Sequence, residues 1–399
     1  AATAGTYSVT GENLPDCRVG HYFDNKVPYY TLLMFEFMTF IQNSPAGIWY
    51  CIVLMALGIW LLAKGGGFLV TGGLGLAKQL NIKTVVVGLT IIAFSTSAPE
   101  LAFNVFAASG GHGEITIGNI FGSNIANLAL VLGIGALVHN AVRKKKGELS
   151  GTPIKTEFIK REGKWLLLST LGISVITAII LFWGNQPDTF LNFNASLGIL
   201  LFLFFLLFFW HVVVLHRKKT RTNTQETESN NQGDCSLSKA IFLLLGGFAL
   251  LVLGGKSAEI GAVAGARILG ISEMFIGVTI VALATSLPEV VTTIIAAKRD
   301  EAELIWGNIV GSNIFNVLFV LPITLVVAHF VGIGYIAIAP DAIEPWIYMG
   351  FMVFITVTTW AMMKRESDIT NFEGRLLIVL YAAFLIGVTI WKSMEIVQP

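Results

Sequence analysis

The chain has 399 residues, of which 54% are hydrophobic and only 13% charged, about half the charge of a soluble domain, so it falls in the membrane class before any motif is read. Its formal net charge is +1, and no basic stripe with interleaved aromatics is present, which argues against nucleic acid as a partner. Cys17, Cys51 and Cys235 show neither metal-ligand nor disulfide-framework spacing.

In chain order, residues 1–46 come first. The start Ala-Ala-Thr fits a processed precursor or an incomplete chain, and no signal peptide is visible. The stretch 29–41 is apolar and aromatic but interrupted by Glu36 and too short to span, so an interfacial helix is expected there. Apolar stretches long enough to cross a bilayer follow at 47–70, 86–108, 115–139, 165–184 and 195–215. Residues 216–237 read as a polar linker, Thr-, Asn-, Gln- and Glu-rich from Thr220 to Cys235. Five more spans are expected at 238–262, 274–297, 303–330, 346–363 and 374–391. The expected fold is an all-α polytopic membrane protein of ten helices, with repeats over 47–215 and 238–399.

The loops set an orientation. Arg143 to Lys146, Lys155, Lys160, Arg161 and Lys164 sit in 140–164, and Arg217 to Lys219 with Arg221 in 216–237. Lys298, Arg299, Lys364 and Arg365 fall on the same side, whereas 185–194 and 331–345 contain no Lys or Arg. The excess of positive loops on the cytoplasmic side puts both termini outside the cytoplasm, with a plasma (inner) membrane as the expected host.

Self-comparison exposes a duplication. Residues 88–127 align without gaps on 277–316, with 19 identities in 40 positions at a constant offset of 189. Two homologous halves with five spans each must insert with opposite orientation, which makes the repeats inverted and places a shared site near the midplane. Glu100 and Glu289 lie inside apolar spans at equivalent positions, where a carboxylate is costly and needs a reason. Facing each other they offer about −2 of charge, which suits one Ca²⁺ or a set of Na⁺ ions. Thr96 and Ser97 precede Glu100 by four and three residues, as Thr285 and Ser286 precede Glu289, on one helix face. Pro99 and Pro288 remove a backbone donor and crowd the carbonyls of Ser95 and Ala284, with those of Ala93 and Ala282 nearby. In the next span of each half, Ser123 with Asn127 and Ser312 with Asn316 can face the carboxylates, and Asn119 and Asn308 extend the polar stripe. Gly118 with Gly122 and Gly307 with Gly311 form GxxxG pairs that let helices approach closely.

The segments FSTSAPE with GSNIAN, and LATSLPE with GSNIFN, resemble the two α-repeats of the sodium/calcium exchanger family, within the cation/calcium exchanger superfamily. The resemblance implies an inverted five-plus-five fold and an antiporter working by alternating access. It implies that Glu100 and Glu289 ligate Ca²⁺ with Thr96, Thr285 and the carbonyls of Ala93 and Ala282. Na⁺ would displace it on the same carboxylates plus Ser97, Ser286, Ser123 and Ser312, with Asn127 and Asn316 completing the centre. Two departures stand out: Ser95 and Ala284 occupy the family's glycine position, and Asn316 stands where many members carry Asp, which argues against K⁺ cotransport. The transported ions are Ca²⁺ and Na⁺, no organic cofactor is expected, the bilayer is the surrounding partner, and no protein partner is indicated. A Ca²⁺/H⁺ exchanger on the same fold is the alternative, and a transport-weak subunit of a larger membrane complex the third reading. No soluble-enzyme motif is present, and His112 and His139, at expected helix ends, read as solvated.

Overall fold

The computed structural model describes residues 40–41, 44–80, 82–109, 113–148, 151–183, 187–220, 236–268, 282–330, 343–366 and 368–397. These residues form ten helical rods: α1 (Gly47–Leu80), α2 (84–109), α3 (113–145), α4 (Thr156–Trp183), α5 (Pro187–Thr220), α6 (Leu237–Ile268), α7 (282–298), α8 (Ala302–Phe330), α9 (Glu344–Glu366) and α10 (Asn371–Val397). Among the described residues, seven helices are long and apolar enough to cross a membrane, and α5 adds a shorter apolar stretch, Ser196–Val212. The chain is an all-α polytopic membrane protein, and each expected span overlaps one rod, with residues 274–281 of the seventh lying outside the described residues. Residues 29–39 of the expected interfacial helix and most of the linker lie outside the described residues, whereas residues 40–41 are helical.

Two expectations are corrected. The loop expected at 185–194 is helical from Pro187 onward, because proline's fixed φ suits the first helical position. His139, expected in water, is 1% exposed, with Nε2 3.0 Å from Asp300 Oδ1. The reason is that α3 continues to Lys145 while the turn between α7 and α8 folds over its end. Asp300 shapes that turn at φ 64°, a left-handed conformation that Asp tolerates better than most residues, and also pairs with Lys146 at 2.6 Å. His112 lies outside the described residues.

The inversion is visible where α1 meets α6. A Cβ added at Gly58 would lie 2.6 Å from Ala258 N, one at Gly65 2.9 Å from Gly247 O, and one at Gly72 2.8 Å from Ala240 O. One added at Gly261 would lie 2.7 Å from Cys51 O. As α1 climbs from 51 to 72, its contacts on α6 descend from 261 to 240, so the two helices run antiparallel. The offset of the sequence repeat carries Gly58 onto Gly247 and Gly65 onto Gly254. The Gly58–Gly254 and Gly65–Gly247 approaches are therefore images of one another about a two-fold axis crossing the helix pair midway between Gly58 and Gly65. An axis perpendicular to two antiparallel spans lies in the membrane plane, as inverted repeats require.

Behind this pair, α2, α3 and α8 are mostly buried, whereas α1, α6, α9 and α10 present much of their surface outward. A two-residue antiparallel ribbon, Thr152 opposite Ile369 and Pro153 opposite Asp368, joins the approach to α4 with the approach to α10.

Candidate ion-binding site

The residues before each glutamate break their helix in the same way. Ser97 (φ −83°, ψ 4°) interrupts α2 after Thr96, and Ser286 (φ −82°, ψ 2°) interrupts α7 after Thr285. The cause is local: the ring at Pro99 or Pro288 cannot donate to the carbonyl four residues back and pushes it aside. The Ala93 and Ala282 carbonyls, expected to line the break, stay in the helix pattern. Ala93 O accepts from Ser97 N at 3.0 Å and Thr96 Oγ1 at 3.2 Å, and Ala282 O accepts from Ser286 N at 3.2 Å and Thr285 Oγ1 at 3.3 Å. To ligate an ion they must give up the threonine hydrogen bond.

The GSNIxN helices pack against these breaks from the opposite half. Thr96 donates to Asn308 Oδ1 at 3.2 Å and Thr285 to Asn119 Oδ1 at 3.3 Å, a pair of contacts related by the repeat. Thr96 Oγ1 is also 3.2 Å from Ser312 Oγ, and Ser123 donates to Asn119 Oδ1 at 3.3 Å. Glu100 and Glu289 are both buried, at 1% and 0% exposure. The hydroxyls of Thr96, Ser312 and Ser97 lie beside the Glu289 carboxylate, yet neither of its oxygens completes a hydrogen bond. Asn127 and Asn316 each open a single wide π turn, 127–131 and 316–320, which rotates the helix locally and is a frequent companion of functional positions.

Satisfaction is uneven in an informative way. Ser97 Oγ, Ser286 Oγ, both oxygens of Glu289 and the Oδ1 atoms of Asn127 and Asn316 are buried without a hydrogen-bond partner among the described residues. Buried polar atoms are almost always paired. Most of the unpaired atoms at this junction of two broken helices are oxygens, with the Nδ2 atoms of Asn119 and Asn127 also unpaired beside them, and oxygen is the donor type a hard cation takes. Every residue expected at the site is buried.

The sequence reading passed over Thr292 and Thr293. Asn308 Nδ2 donates to Thr292 Oγ1 at 3.2 Å and to Thr293 Oγ1 at 3.3 Å, and Thr292 in turn donates to Pro288 O at 2.6 Å. This fixes which end of the Asn308 amide faces Thr96. The first half has Phe103 and Asn104 at these positions, and Asn119 Nδ2 has no partner there. The spacing of three and four residues after Glu289 was the available signal.

The sodium/calcium exchanger protein family matches residues 50–213 and 239–390. The sodium/calcium exchanger MaX1 of Methanosarcina acetivorans is 28% identical over 360 residues, covering 84% of this chain and 97% of its own. The Ca²⁺/H⁺ antiporter ChaA of Bacillus subtilis is 22% identical over 341 residues, covering 85% and 90%. A solved structure of the sodium-calcium exchanger NCX_Mj, soaked with Na⁺ and Sr²⁺, superposes with a TM-score of 0.63 at 26% identity, over 84% of this chain and 97% of that one.

Proposed function

This chain belongs to the sodium/calcium exchanger protein family, and from that premise we propose that it moves Ca²⁺ out of one compartment against entry of Na⁺, by alternating access. The two buried glutamates bind Ca²⁺ with Thr96, Thr285 and, once released from their threonines, the carbonyls of Ala93 and Ala282. Na⁺ competes for the same carboxylates and adds Ser97, Ser286, Ser123 and Ser312, with Asn127 and Asn316 closing the centre. Either cargo neutralises the carboxylates. An empty site leaves two charges at membrane depth, so α1 and α6 slide past the core only when it is filled. Both termini lie outside the cytoplasm of an inner (plasma) membrane, as the basic loops require.

The observation that carries the choice of Na⁺ is the pair of buried, partnerless hydroxyls at Ser97 and Ser286. A proton carried by a glutamate needs no such oxygen, whereas Na⁺ coordination does. Proton coupling is kept as the second reading because one similar protein is a Ca²⁺/H⁺ antiporter.

The deciding experiment is ⁴⁵Ca²⁺ uptake into proteoliposomes loaded with Na⁺, beside matched vesicles loaded with K⁺ or carrying a pH gradient. Uptake that requires the outward Na⁺ gradient supports the proposal. Uptake on the pH gradient alone moves the chain to the proton-coupled branch, and no uptake from folded protein turns attention to a subunit role.

A further inference from the structure

Lys64 stands apart from the ion site and from everything the fold requires. The two-fold axis crosses α1 midway between Gly58 and Gly65, so the Lys64 Cα lies only about 4 Å from the midplane at 1.5 Å of rise per residue. An extended lysine adds about 6 Å, which leaves its ammonium inside a hydrocarbon layer whose half-thickness is about 15 Å. Lys64 is exposed and makes no ion pair or hydrogen bond among the described residues. It points away from the core. Gly66, two positions on, faces Val291, Ile295 and Thr292 of α7, while Lys64 continues the outward stripe of Leu57, Trp60 and Phe68.

Duplication does not account for it. The equivalent residue in the second half is Leu253, 61% exposed on α6, which is what a lipid-facing position calls for. One heptad beyond Lys64 on the same face is Thr71, whose hydroxyl accepts a 2.8 Å hydrogen bond from the Arg299 guanidinium. Its equivalent is Ile260, and that of Arg299 is Gly110. Thr71 lies about 14 Å from the midplane by the same rise, at the depth of lipid headgroups. Between the two cationic residues, a Cβ added at Gly67 would meet nothing within 4 Å, so the face is open there. The matching half of α6 is built differently: its cation, Lys256, stands at the position of Gly67 and is half-buried, whereas α1 leaves an exposed lysine beside an open, unfilled face.

We propose that Lys64, the open face at Gly67 and Arg299 on Thr71 form a binding site for an anionic phospholipid of the leaflet that α1 enters, the cytoplasmic one in the orientation given above. Arg299 receives the phosphate at the interface. Lys64 reaches up from below to the phosphate or the ester oxygens, which relieves the burial of its own charge. The acyl chains lie on Phe68 and the apolar face of α1. Because α1 is a gate helix in the transport reading, the bound lipid also loads one end of the sliding pair, but the binding itself does not depend on that reading.

The test is native mass spectrometry of the full-length protein released from phosphatidylcholine vesicles containing phosphatidylglycerol, with wild type, Lys64→Leu and Lys145→Gln compared. Lys64→Leu restores the residue used in the other half and suits a lipid-facing helix, so it keeps the fold. Retention of phosphatidylglycerol is expected to fall roughly five-fold in Lys64→Leu and to hold in Lys145→Gln, the effect of one membrane-proximal cation. Inorganic phosphate added to pure phosphatidylcholine vesicles is expected not to bind. Equal retention in wild type and Lys64→Leu overturns the site. So does an equal drop in Lys145→Gln, which would mean general surface charge. A co-purifying membrane protein cross-linked through a carboxylate to Lys64 would also overturn it and assign the strip to a protein partner.

Discussion

At the scale of single residues, the two glutamates and the hydrogen bonds that aim the threonines make separable predictions. Glu100→Gln and Glu289→Gln keep shape and hydrogen-bonding capacity but remove the charge that a divalent cargo needs. Each alone is expected to abolish Ca²⁺ exchange, read as initial ⁴⁵Ca²⁺ uptake; retained uptake in both would remove them from the site. The Thr292 and Thr293 hydroxyls act one step away, by fixing the Asn308 amide that receives the Thr96 proton. Replacing both by Val keeps their volume and frees the amide to turn. A loss of one or two buried hydrogen bonds, about 1–2 kcal/mol, is expected to raise the KM for Ca²⁺ roughly 5–30-fold while Vmax changes little. A fall in Vmax at unchanged KM would instead mean that these threonines serve the gate. The carboxylates, the serines and the paired asparagines were legible in the sequence because the repeat presents each of them twice. Thr292 and Thr293 were not, because the first half has Phe103 and Asn104 there and self-comparison discards what it cannot match.

At the scale of elements, the contact between α1 and α6 depends on glycines with different tasks two residues apart. A side chain at Gly65 would press on the backbone of Gly247 at 2.9 Å, which cannot yield without separating the helices. Gly67 on the next face meets nothing. Gly65→Ala is expected to cost about 1–3 kcal/mol through overpacking. Gly67→Ala is expected to be neutral or to stabilise by up to about 1 kcal/mol, from helix propensity alone. Thermal unfolding in one detergent compares them directly, and equal shifts in the two variants would deny the close approach. The helices themselves were legible, since runs of apolar residues give their place, and every expected span overlaps a rod over the described residues. Their ends were less so. The continuation of α3 to Lys145 follows from packing under the α7–α8 turn, and burying His139 there needs an Asp300 distant in sequence. The wide turns at Asn127 and Asn316 were invisible for a similar reason: one extra residue in a helical turn leaves no mark on hydrophobic periodicity.

At the scale of the whole molecule, symmetry and its violations carry different information. Two matched segments and an odd number of spans per half were enough to require inversion, and the antiparallel α1–α6 pair meets that requirement. What the duplication cannot supply is sidedness, because a two-fold axis in the membrane plane treats both faces alike. Sidedness rests on residues that break the symmetry: the Arg143–Lys146 run, the basic linker and Arg299 on one face, and loops without Lys or Arg on the other. The native cysteines make this testable without mutation. Cys17 precedes α1, Cys235 lies in the linker just before α6, and Cys51 is buried in the α1–α6 contact, where a membrane-impermeant thiol reagent has no route. In sealed right-side-out vesicles the reagent is expected to modify Cys17 and spare Cys235, and in inverted vesicles the reverse, with the sites read by peptide mass spectrometry. Reaction at both cysteines in either vesicle type would break the odd count between them, because five spans must put the two on opposite faces. The opposite pattern would keep the count and invert the protein, placing the Lys64 strip in the outer leaflet and reversing the face from which Ca²⁺ is collected.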